Sequence, residues 1–116
     1  MTISPLEREL LSLATEDWYS LPEALGVVRD LFPALDESDR IELARVTVSR
    51  MIENDLLLLC LFKHIGSKEI RIAKERSDDL LCDMSNWQPV PAAQWHLRFV
   101  ATEKGKRIYF SLPTVS

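Results

Sequence analysis

The chain has 116 residues with 14 Lys and Arg against 18 Asp and Glu, a net charge of −4, and 47% hydrophobic residues. This describes one ordinary globular domain over residues 1–116 and excludes collagen, coiled-coil rods, disulfide miniproteins and most large cofactor folds. The charge is uneven: residues 1–60 hold five arginines and no lysine against twelve acids, a net of −7, whereas residues 61–116 carry a net of +3.

Ser4-Pro5-Leu6-Glu7 reads as a capping box, with Ser at the N-cap, Pro at the first helical position and Glu three residues after the cap. A helix is predicted from about residue 5, its buried stripe formed by Leu6, Leu10, Leu13 and Ala14, with Asp17 beginning the exit. Ser20-Leu21-Pro22-Glu23 repeats the signal and opens a second helix over about 21–32, with Leu25, Val28, Leu31 and Phe32 inward and Pro33 ending it.

A third helix is predicted from the Asp36-Glu37-Ser38-Asp39 segment to about Asn54, capped by Asp36 or Ser38, its acids favoured at the positive end of the helix dipole. Ile41, Ala44, Val48, Met51 and Ile52 make its buried stripe; Glu42, Arg45, Ser49 and Glu53 take the other face. Leu56 to Phe62 is seven apolar residues without a break, which fits a strand covered on both faces, or at least a very buried one, and is far too short to span a membrane as a helix. Cys60 in that run and Cys82 have neither disulfide-framework nor zinc-ligand spacing, so both are expected to be buried, reduced thiols.

From 63 to 94 the expected features are a turn at His64–Ser67, a weak alternation at Glu69–Ala73, and a short helix capped by Ser77-Asp78-Asp79 that carries Leu80, Leu81 and Met84. An irregular loop over Asn86–Pro91 follows, since its two prolines lack backbone donors. Trp95 to Thr102 alternates as a strand with Trp95, Leu97, Phe99 and Ala101 on its core face. Glu103–Lys106 is expected to turn, and Arg107–Leu112 to form a last strand. The fold class expected is therefore α+β: three N-terminal helices, a small antiparallel sheet, and a short extra helix between 63 and 94.

The segment Thr102-Glu103-Lys104-Gly105-Lys106-Arg107-Ile108-Tyr109, together with Val46–Ile52 leading into Asp55-Leu56-Leu57, resembles the winged-helix (winged helix-turn-helix) domain. The resemblance covers residues 5–62 and 95–112 and implies a DNA-binding regulator. Two features depart from the pattern: about thirty residues stand where a tight wing is usual, and Asp55 holds a position where Gly is common. Size, acidity and architecture are also similar to those of some small bacterial immunity proteins, which bind and block a cognate toxin.

Two sets of candidate residues follow. Asp36, Glu37, Asp39, Glu53 and Asp55 form an acidic set able to mimic a phosphate backbone toward a basic toxin or nuclease, and Trp87 is a candidate interface anchor. The bland reading of the acids is helix capping and solubility, and that of Trp87 is the core. Arg40, Arg45 and Arg50, with Lys104, Lys106 and Arg107, are the DNA-contact candidates. Against them, the arginines spaced by five fall on different helix faces, Asp36–Arg40 and Glu42–Arg45 suit ordinary helix ion pairs, and the lysines suit a solvated turn. His64 and His96 lack a partner pattern for catalysis, and no phosphate loop or metal motif is present. With acids where a secretory signal needs an apolar core, the expectation is a cytoplasmic, non-enzymatic module without cofactor, bound to a protein or, alternatively, to nucleic acid.

Overall fold

The computed structural model describes residues 2–62, 68–89 and 96–113. Both serine capping boxes form as their residue types dictate. Ser4 Oγ accepts from the Glu7 amide at 3.1 Å while Glu7 accepts from the Ser4 amide, opening α1 (Pro5–Glu16). Ser20 and Glu23 repeat this at the head of α2 (Leu21–Leu31), after the two-residue strand β1 (Tyr19–Ser20).

Asp36 is the N-cap of α3 (Glu37–Glu53), its carboxylate accepting from the Asp39 amide at 2.8 Å. The helix ends at Asn54, and Asp55 takes a left-handed φ of 61°. The Leu56 amide then reaches back to the Met51 carbonyl at 2.8 Å, and Asp55 to Ile52 at 3.0 Å. This is the Schellman closure, with Asp in the place that usually takes Gly.

The apolar run becomes β2 (Leu57–Phe62), one of the two inner strands of a four-stranded antiparallel sheet of order β1-β4-β2-β3. Its partners are β3 (Ile70–Arg71) and β4 (His96–Ala101), with Leu59 opposite Phe99 and Leu57 opposite Ala101. Those four side chains lie on the face buried against the helices. The opposite face is covered only in part: Cys60 is buried, whereas Leu58 and Phe62 are half-buried, Phe62 with its ring edge-on to Trp18. The fold is thus mixed α+β, with one continuous core drawn from α1, α2, α3, β2 and β4 and completed by Leu81 and Trp87.

Five local expectations are corrected. Residues 103–111 are not a turn and a strand but a helix, α5 (Glu103–Ser111), because the Thr102 hydroxyl caps it by accepting from the Gly105 amide at 3.0 Å. Gly105, Ile108 and Tyr109 then form a helical stripe that packs on the body, while Phe110 is 73% exposed. Tyr109 donates its hydroxyl to Ser12 Oγ at 3.1 Å, tying α5 to α1.

The helix of the 63–94 region, α4 (Lys74–Cys82), starts before the expected Ser77 cap. Ser77 lies buried inside it and donates to the Ala73 carbonyl at 3.2 Å; the N-cap Ala73 has no side chain with which to cap. A 3-10 turn, Met84–Trp87, takes up the start of the expected irregular loop. Cys82 is exposed rather than buried, since it ends α4 at the surface beside Arg45. Leu31 and Phe32 are also exposed, because α2 stops there and no element among the described residues covers them. The expected turn at 64–67, the prolyl segment at 90–91 and Trp95 lie outside the described residues.

Candidate interaction site at the corner between the second and third helices

The acidic start of α3 is built by a short connection. Phe32 closes α2 by donating its amide to the Val28 carbonyl, Leu35 donates back to Phe32 at 3.2 Å, and Asp36 caps α3. Arg29, in the last turn of α2, makes a two-pronged contact with Glu37 in the first turn of α3, at 2.7 and 3.3 Å. Arg40 donates to the Pro33 carbonyl at 2.8 Å and lies 3.6 Å from Glu37 Oε2, the oxygen that Arg29 Nε also reaches. Two arginines therefore clamp one glutamate and one loop carbonyl, fixing the corner. Hydrogen bonding from Arg29, reinforced by the charges of Arg29 and Arg40, holds the Glu37 carboxyl below the ordinary glutamate range.

The expected Asp36–Arg40 pair is replaced by this arrangement, since the Asp36 carboxylate serves the helix cap instead. Asp30, Asp36, Glu37 and Asp39 are all exposed. Between them in sequence stand Leu31 at 40% and Phe32 at 38% exposure. The pair was hidden at the level of sequence because its spacing continues the buried stripe of α2; only the Pro33 stop hints that the stripe has left the core.

The other acids lie elsewhere. Glu53 and Asp55 are at the far end of α3, where Lys74 of α4 meets Asp55 at 2.6 Å and donates to the Glu53 carbonyl at 3.4 Å. The hydrogen bond from Lys74 lowers the Asp55 pKa below its ordinary value. The structure therefore separates the sequence-level acidic set into two groups, of which only Asp36, Glu37 and Asp39 share the corner. Trp87 is 1% exposed and donates its indole N–H to the Leu81 carbonyl at 2.8 Å, so it is part of the core and offers no surface to a partner.

Of the cationic candidates, Arg40, Arg45 and Lys104 are engaged within the fold, whereas Arg50 and Arg107 are exposed. Arg45 pairs with Glu42, with one contact at 3.1 Å, and reaches Cys82 Sγ at 3.8 Å. Ser49 donates to Asp78 of α4 at 2.6 Å. These contacts place α4 along the Arg45–Ser49 side of α3. Arg50 is exposed in the last turn of α3. Lys104 donates to the Asn54 carbonyl at 3.0 Å, Lys106 lies 3.9 Å from Glu103, and Arg107 is exposed. Among the described residues no three His, Cys, Asp or Glu side chains gather as a metal would require, and no helix is long and apolar enough to cross a membrane. Comparison with protein-family models, with curated proteins and with solved structures finds no match to the chain.

Proposed function

We propose that this domain acts by binding another protein, through the rigid acidic corner at Asp36, Glu37 and Asp39, and that its partner is basic. The observation that carries the reading is the contrast between the two surfaces of α3. Its N-terminal acids are exposed at the N-cap and in the first turn of the helix, whereas the side bearing Arg45 and Ser49 is engaged by α4. A helix so covered is poorly placed to enter a major groove, which admits one helix with its side chains free. A basic toxin or nuclease domain, neutralised by an immunity protein, is the partner class that suits the charge of this half of the chain.

The domain used as bait tests this. Captured proteins and a generic DNA duplex are compared for the wild type, for Asp36→Lys with Glu37→Lys and Asp39→Lys, and for Lys104→Glu with Lys106→Glu and Arg107→Glu. A basic protein held by the wild type and the second variant but lost from the first supports the reading. Sub-micromolar duplex binding at about 50 mM salt, with a steep salt slope and loss only in the second variant, overturns it in favour of a DNA-binding regulator.

A further inference from the structure

We propose that Leu31 and Phe32 are the apolar anchor point of this corner, and that the occupant is a basic polypeptide segment carrying an aliphatic side chain among its lysines and arginines. The inference rests on the protein-binding reading above and names the residues that would confer affinity rather than steering. Interfaces join an apolar centre to a polar rim, and long-range charge sets the encounter rate more than the lifetime of the complex. The corner has both parts: two large apolar side chains exposed by 40% and 38%, with the exposed acids Asp30, Asp36 and Asp39 flanking them in sequence.

Charge selects the occupant. Arg29 and Arg40, the cations of this stretch, are both turned onto Glu37, and with the exposed Asp30, Asp36 and Asp39 counted the stretch 29–40 keeps a net charge of −2. Among the described residues, Phe110 lies one helical turn from Lys106 and Arg107, Ile70 lies between Glu69 and the exposed Arg71, and Met84 beside Asp83 is a lone exposed apolar side chain, so none offers two adjacent apolar side chains between acids. Rigidity also favours the corner, since the Arg40–Pro33 and Leu35–Phe32 hydrogen bonds hold the loop before any partner arrives, and little ordering remains to oppose binding.

Two peptides of equal charge and length serve as probes: an amphipathic Leu/Lys helix and a Lys/Ser peptide. Each is titrated into the full chain labelled with nitrogen-15, and amide shifts are followed. The proposal expects shifts centred on residues 30–39, at least tenfold tighter binding of the Leu/Lys peptide, and loss of that advantage in Leu31→Ser with Phe32→Ser. Single Leu31→Ser replaces the double variant if the latter loses its dispersed spectrum, and it is expected to lose most of the advantage too. Equal binding of both peptides at the corner, unaffected by these variants, overturns the anchor while leaving an acidic protein-binding corner in place. Shifts centred on α5 or β3, or none for either peptide, overturn the anchor; the bait comparison separately decides whether the protein-binding reading falls with it.

Discussion

Gly105 stands directly against the Leu56 carbonyl: a Cβ built on Gly105 would lie 2.2 Å from that oxygen. The contact seats the first turn of α5 on the α3–β2 corner, where the Thr102 amide also donates to the Leu56 carbonyl at 3.0 Å and the Thr102 hydroxyl to the Asp55 carbonyl. Because the obstructing atom is backbone, rotamer change gives no relief. Gly105→Ala is expected to destabilise the domain by about 1–3 kcal/mol despite the better helix propensity of Ala. Urea denaturation measures this, and an unchanged midpoint would contradict the close approach.

The same corner contains the left-handed Asp55. Glycine takes that conformation freely, whereas an L-residue is strained by roughly 1 kcal/mol. Asp55→Gly and Asp55→Ala both delete the carboxylate that Lys74 meets, so comparing them removes the ion pair from the question. The glycine variant should be the more stable of the two by about that amount in denaturant titrations. Equal midpoints would show that the positive φ does not matter to the helix end.

The two thiols should behave differently. Burial, with a smaller contribution from the charge of Glu69, pushes the Cys60 thiol up from 9.0 to about 11, whereas Cys82 is exposed. A thiol-reactive dye at neutral pH is expected to modify one cysteine quickly in the native protein and both in denaturant. Because the folded pKa lies above the unfolded one, Cys60 favours the fold while its thiol is neutral in both states. Its contribution falls as pH rises from about 9 to about 11, where the unfolded chain alone would ionise. Cys60→Ala should flatten that part of the stability profile; an identical alkaline slope in this variant would contradict the assignment.

Legibility from sequence followed local chemistry. The two proline-containing Ser-x-x-Glu signals and Asp36 mark three helix starts because a capping side chain and its amide are close neighbours in sequence. β2 and β4 were legible through an unbroken apolar run and a clean alternation. The last helix was misread because Ile108, Phe110 and Leu112 satisfy a period of two, while the stripe that decides the matter runs through Gly105, a residue with no side chain to signal it. Helix α4 lacked a cap residue at Ala73 and buries few apolar side chains, so its start had no local signature. At the candidate site the acids were visible as charge, whereas the exposure of Leu31 and Phe32 depends on what fails to pack over them, which no local pattern encodes.

The most direct measurement of the central claim is the association rate of the basic partner isolated with the wild-type bait, followed by stopped flow at two salt concentrations. If the acids at the α2–α3 corner steer the encounter, Asp36→Lys with Glu37→Lys and Asp39→Lys should slow association about tenfold or more and remove most of its salt dependence. Lys104→Glu with Lys106→Glu and Arg107→Glu should leave the rate unchanged or raise it. Equal rates and equal salt slopes for the wild type and both charge reversals would contradict the account, because the exposed acids at the head of α3 would then have no part in recognition.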